Sequence, residues 1–156
     1  MGSIGTSTSS AVAFIPDPSS PLFLLSSDVP GVSLATVPFS GIGFWDSRRS
    51  MIVSFCARNK IGFIDGTCTE HTIDSLQFKQ WDMCNNMVIS LLTNSLSLDI
   101  AGSVQYSDTA GCIWTQLNRR YETVNGTKVF EIKKELASTN QGSLDIAFYF
   151  NKLKKL

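Results

Sequence analysis

Beyond residue 39 the apolar residues recur at three- and four-residue intervals, the repeat of helices that each bury one face. Trp45, Ile52, Phe55 and Asn59 share a face of a first helix, which ends before the turn-like Gly62-Phe63-Ile64-Asp65-Gly66. Phe78, Trp81, Asn85, Val88, Ile89, Leu92 and Leu96 keep the rhythm for about five turns at 3.6 residues per turn, the clearest helix in the chain. Asp108 stands at an N-cap position ahead of Ala110, Ile113, Trp114, Leu117 and Tyr121. Asn125-Gly126 is read as a break, with Val129, Ile132 and Leu136 marking the next helix. Gln141-Gly142 breaks again, Ser143 can cap, and Ile146, Phe150 and Leu153 mark a last helix. Short connections favour antiparallel neighbours, so the expected fold is all-α, a compact bundle of about five to six helices.

The N-terminal part follows a different rule. All five prolines, Pro16, Pro18, Pro21, Pro30 and Pro38, lie in the first 38 residues. Proline breaks helix interiors, so the chain divides there. Residues 1–20, rich in Ser, Thr, Gly and Ala with Asp17 as their one charge, form an expected disordered lead. Residues 21–38 read as an extended arm, apolar enough to lie along a folded body. Residues 39–156 form the helical domain.

At 156 residues the chain is long enough for one real core. Thirteen basic and thirteen acidic side chains cancel, so there is no overall field for polyanions. The charges are unevenly placed. Residues 1–118 hold five basic and nine acidic groups, and residues 119–156 hold eight basic and four acidic. The basic end carries Arg119, Arg120, Lys128, Lys133, Lys134, Lys152, Lys154 and Lys155, largely off the apolar stripes. These eight are the candidate nucleic-acid-binding residues, by neutralising phosphates and releasing counterions. The bland alternative is a solvated helix face, since Glu131 and Glu135 lie among them.

Other chemistry is scarce. Cys56, Cys68, Cys84 and Cys112 are 12, 16 and 28 residues apart, without the close pairs of a structural zinc site. Cys56 and Cys112 have apolar neighbours, where cysteine acts as a small hydrophobe. A reduced intracellular, cytoplasmic protein without metal or cofactor is expected. Cys68 and His71, the only histidine, could pair as thiol and base, but a loop position lacks the third group that orients the imidazole. No phosphate-binding glycine loop is present. The three tryptophans fall on apolar helical faces and are expected in the core. No window of the sequence is apolar over the length of a membrane span. The start Met1-Gly2-Ser3-Ile4-Gly5-Thr6 fits the minimal N-myristoylation pattern, but one acyl chain without a basic cluster gives only marginal binding. Neither an enzyme nor a membrane protein is expected.

The residues themselves carry a more specific signal. Pro21-Leu-Phe-Leu-Leu-Ser-Ser-Asp28-Val-Pro30-Gly31-Val-Ser-Leu34 is followed by Pro38-Phe-Ser-Gly41, Phe44-Trp45-Asp-Ser-Arg48-Arg49-Ser50-Met51 and Asn59-Lys60-Ile-Gly62-Phe63-Ile64-Asp65-Gly66-Thr67. Then come Trp81-Asp-Met-Cys84-Asn85-Asn-Met87-Val88-Ile89-Ser90, Tyr106-Ser-Asp108-Thr109-Ala110 with Ile113-Trp114, Phe130-Glu-Ile-Lys133-Lys-Glu135-Leu136 and Gln141-Gly142-Ser143-Leu144. From about residue 20 onward this order resembles plant copia-type retrotransposon Gag polyproteins. The resemblance implies a non-enzymatic, capsid-like part that self-associates into a particle packaging the element's RNA. It also implies that the family's last helix continues past Leu156 and that a zinc knuckle lies downstream, so a fragment or degenerate copy is expected. The alternative is an RNA-binding module acting through the basic end. Both readings take the chain itself and single-stranded RNA as partners, with no small-molecule substrate.

Overall fold

The protein is described by a computed structural model covering residues 13–138, with the side chains of residues 123–129, 132, 133 and 136–138 set aside. Among these residues there are five helices and no strand: α1 (Phe44–Ala57), α2 (Gly62–Asp65), α3 (Leu76–Thr93), α4 (Leu98–Val104) and α5 (Ala110–Ser138). The fold is an all-α bundle. Of the expected lead, residues 1–12 lie outside the described residues, as do Gln141-Gly142 and the expected last helix from Ser143.

Helix α3 is the spine. Ser75 caps it, its hydroxyl accepting from the Phe78 amide at 3.1 Å. Trp81, Cys84, Asn85, Val88, Leu91 and Leu92 are buried along its length: Trp81, Asn85, Val88 and Leu92 are in the stripe that the spacing predicts, Cys84 and Leu91 widen it, and the expected Leu96 is buried just past the helix end. Helix α5 packs against α3, α2 and α1 and contributes Ala110, Ile113, Trp114 and Leu117 to the core. Asn85, 2% exposed, splices the two long helices. Its Nδ2 donates to the Asp108 carbonyl and its Oδ1 accepts from the Ala110 amide, both at 3.0 Å. That amide is one of the unpaired donors every helix start presents.

The structure adds the short helix α4, which the sequence reading did not expect, and differs from that reading in four further places. In α1 the core takes Phe44, Met51 and Phe55, one residue round from the Trp45/Ile52/Asn59 face, and Trp45 stays 41% exposed. The shift follows from Phe44 joining Phe39 and Tyr121 in a cluster of three rings with centroids 4.9–5.7 Å apart. The Gly62–Gly66 turn contains the one-turn helix α2, which buries Phe63 and Ile64 and ends at Gly66 with φ 83°. Thr109, not Asp108, caps α5: its Oγ1 accepts from the Cys112 amide at 3.2 Å, while the Asp108 carbonyl serves Asn85. Finally, α5 passes through Asn125-Gly126 unbroken to Ser138, so the two helices expected there are one. An interior glycine costs a helix only about 1 kcal/mol relative to alanine, and each further residue is added to an existing hydrogen-bond ladder.

Replacing Asn85 by Leu strands the buried Ala110 amide and leaves the Asp108 carbonyl without its donor. A loss of about 2 kcal/mol is expected, read as a lower urea midpoint by far-UV circular dichroism.

Candidate interaction surfaces

The residues before α1 are held on the bundle by a buried polar corner. Helix α1 ends in a tight reversal: Asn59 takes the left-handed conformation at φ 54°, its amide donates to the Cys56 carbonyl, and the Lys60 amide reaches back to the Phe55 carbonyl at 2.8 Å. The hydrophobic residue that usually follows such a cap is replaced by Lys60, whose side chain turns inward and is fully buried. Its ammonium donates to the Pro21 carbonyl at 2.9 Å and to the Phe23 carbonyl, and lies 3.8 Å from Oδ2 of Asp28. Arg58 Nη1 donates to Oδ1 of Asp28 at 3.1 Å and to the Ser27 carbonyl at 2.9 Å. Asn59 donates to the Ser19 carbonyl. Three consecutive residues thus clasp the arm from Ser19 to Asp28, with the Asp28 carboxylate compensating charges that burial alone would make costly.

Beyond the clasp the arm runs along α3 in the same direction. The Leu22 carbonyl accepts from Gln80 Nε2 and Cys84 Sγ, the Gly31 and Leu34 amides donate to the Ser90 and Ser95 hydroxyls, and Phe39 pairs with the backbone of Ser95 and Ser97. Leu22 is buried, and Phe14, Leu24 and Leu34 pack against the core.

A cavity of about 440 Å³ opens between the arm and α2, lined in part by Phe14, Leu22, Asn59, Ile61, Cys68 and His71. Burial pushes the Cys68 thiol up against the opposing pull of the Lys60 ammonium, the wrong direction for a nucleophile. Burial also pushes the Cys84 thiol up to about 11, again against Lys60. The apolar sequence context of Cys56 and Cys112 misleads: both are exposed, since each lies one step off its helix's core stripe. Among the described residues no three His, Cys, Asp or Glu side chains group to hold a metal ion. No helix among them is long and apolar enough to cross a membrane.

The tryptophans divide. Trp81 and Trp114 are core residues, while Trp45 flanks Arg48 on the surface. The Arg48 guanidinium sits 5.5 Å from the Trp45 ring centre and 5.8 Å from that of Trp114, and its Nε donates to Asn118 at 2.8 Å. This pins α1 to α5.

The eight basic candidates are only partly visible. Arg119, Arg120 and Lys134 are exposed on α5, and Arg120 donates to the Ser103 hydroxyl of α4 at 2.8 Å. Lys128 and Lys133 are in α5 without described side chains, and Lys152, Lys154 and Lys155 lie outside the described residues. Arg119 and Lys134 are about 22 Å apart along α5 at 1.5 Å per residue, with exposed Glu131 and Glu135 beside Lys134. These positions form a strip along one helix rather than a closed site. Lys60, the cation with the largest structural role, carries no signal in a single sequence beyond following a helix-ending Asn.

Lys60→Ala leaves the Pro21 and Phe23 carbonyls without their donor and removes one of the two cations that face the buried Asp28 carboxylate, which keeps Arg58 and the Leu25 amide. A loss of about 3–5 kcal/mol is expected, measured by urea unfolding. The thiols give a second check. With iodoacetamide at pH 8, Cys56 and Cys112 are alkylated first and Cys84 only on unfolding. The Cys84 thiol is raised from an ordinary 9.0 to about 11 in the folded chain. Its contribution to stability is therefore complete below 9 and is lost as pH rises towards 11, so the urea midpoint falls across that window and does so less in Cys84→Ala.

No curated protein and no solved structure matches the chain. Residues 25–70 match the family described as Gag-polypeptide of LTR copia-type. The matched stretch runs from the clasped arm at Asp28 through α1 and the Arg58–Lys60 corner to α2 and the loop after it. The match covers 46 of the 156 residues, and over that stretch the chain is similar to copia-type Gag polypeptides.

Proposed function

We propose that the chain is a capsid-like structural segment of a copia-type Gag that associates with further copies of itself in the cytoplasm and packages RNA. The coarser statement, a retrotransposon Gag structural role, is supported by the family match. The observation that carries the finer reading is where the match falls. Its 46 residues, 25–70, take in Asp28, Arg58 and Lys60, so the matched stretch includes the charged side chains of the buried corner together with α1 and α2, while the arm carbonyls that Lys60 grips, those of Pro21 and Phe23, lie just before it. A unit held by internal scaffolding suits many weak subunit contacts acting together. The proposed RNA contact is made by Arg119, Arg120, Lys128, Lys133, Lys134, Lys152, Lys154 and Lys155, which give the last 38 residues of the sequence a surplus of positive charge for phosphates.

Light scattering coupled to size exclusion, over a hundredfold concentration range with and without single-stranded RNA, tests the reading. Protein-only oligomers larger than a dimer are expected, growing with concentration. Assembly that appears only with RNA shifts the driving role to the basic strip, and a monomer under both conditions refutes the proposal. RNA affinity should fall steeply with salt, and replacing Lys133, Lys134, Lys154 and Lys155 by Ala should flatten that slope.

A further inference from the structure

The arm is bound to the bundle as a peptide is bound to a receptor. The body's donors, Asn59, Lys60, Arg58, Gln80 and Cys84, reach main-chain carbonyls of residues 19–27, and the Asp28 carboxylate and Leu22 side chain fix the register. None of these contacts depends on the arm and the body belonging to the same chain. The link between them is short and exposed. Thr36, Val37 and Pro38 lie in solvent, Val37 at 76%, between Leu34 on Ser95 and Phe39, which is anchored to its own body by paired bonds to Ser95 and Ser97. Pro38 restricts Val37 to extended backbone, a conformation that carries the arm away from the body as readily as along it. Fully extended, the five steps from Leu34 to Phe39 span about 17 Å at 3.3–3.6 Å per residue, enough to reach a second body lying against the first at this edge.

Exposed apolar side chains flank that edge. Val37, Ile42 and Leu98 are 76%, 73% and 91% exposed, and all lie within three residues of the bridged pair Phe39–Leu96. A two-fold axis beside the link would cover them.

We propose that residues 13–34 of one copy seat on α3 and the Arg58–Asn59–Lys60 corner of a second copy, and reciprocally, in an arm-exchanged dimer with Val37, Ile42 and Leu98 at its axis. The closed monomer and the exchanged dimer share every arm contact, so the balance is set by link conformation, the new axis contacts and concentration. This inference rests on the self-association reading and names its first contact.

A chain with Ser19→Cys and Asn59→Cys, and with Cys56, Cys68 and Cys112 replaced by Ser, tests it. Oxidised when dilute, the new pair locks the arm onto its own body. The reduced chain is expected to dimerise in sedimentation equilibrium, and the locked chain to need at least about tenfold higher concentration, a difference of about 1.4 kcal/mol. Equal dimerisation of the two forms overturns arm exchange while leaving self-association standing. A chain of the natural sequence that never associates overturns both. In a second experiment the two cysteines are placed on separate chains of different length in the same background, and the chains are mixed concentrated and then oxidised. A mixed disulfide between Ser19→Cys and Asn59→Cys chains is expected. Its absence from a population that sedimentation shows to be dimeric overturns exchange.

Discussion

A lysine with no contact to water organises this fold. Burying an ammonium is tolerable only where its donors and its charge are both answered, and the Lys60 side chain finds those answers in a segment some forty residues earlier: the carbonyls of Pro21 and Phe23 and the carboxylate of Asp28. Because Asp28 is itself fully buried and shared with Arg58, neither partner can be withdrawn singly. The corner therefore couples three things that sequence separates: the end of α1, the path of the arm and the start of α2. The left-handed Asn59 makes this possible, since it ends α1 and turns the next side chain towards the core.

A second polar device does for the other half what Lys60 does for the first. Asn85 reaches from the middle of α3 to the first turn of α5 and answers a donor and an acceptor that helix formation leaves open. The apolar stripes of α3 and α5 supply burial, but apolar stripes slide. Asn85 and the Arg48 bridge between Trp45 and Trp114 set the register in which α5 lies against α3 and α1. This division, area from apolar side chains and position from a few polar ones, holds at the arm, between α3 and α5 and between α1 and α5.

What the sequence made legible follows the same division. The α3 stripe was readable because seven apolar or buried positions repeat over five turns, and the all-α architecture followed from it. The face of α1 was read one residue off, because Phe44 and Trp45 are adjacent aromatics and only the distant Phe39 and Tyr121 decide which is buried. Asn125-Gly126 looked like a break because local propensity is all that a sequence window shows, whereas a long helix already under way absorbs one glycine. The exposed Cys56 and Cys112 sat in apolar words of sequence, and a word does not tell which side of a helix it faces. Lys60 was invisible for a stronger reason. A lysine after a helix reads as solvent-facing unless the carbonyls that will bury it are already known, and those lie in another segment. The basic candidates on α5, by contrast, were legible as charge but not as a site, because charge counts carry no geometry.

The polar character of the arm's attachment has a consequence for how such a chain can associate. An arm held chiefly by apolar area would expose that area on release and collapse back at once. Here the arm is held largely through its own carbonyls, groups that water can solvate while the arm is free, with Leu22 as the main apolar side chain it buries deeply. The body side is less forgiving, because an emptied corner leaves Lys60 without its carbonyl acceptors and Leu22's place open. The receptor therefore demands an occupant more than the arm demands a receptor. That asymmetry favours replacement of one arm by another over prolonged vacancy, and under the proposed self-association the replacement at hand is the arm of a neighbouring copy.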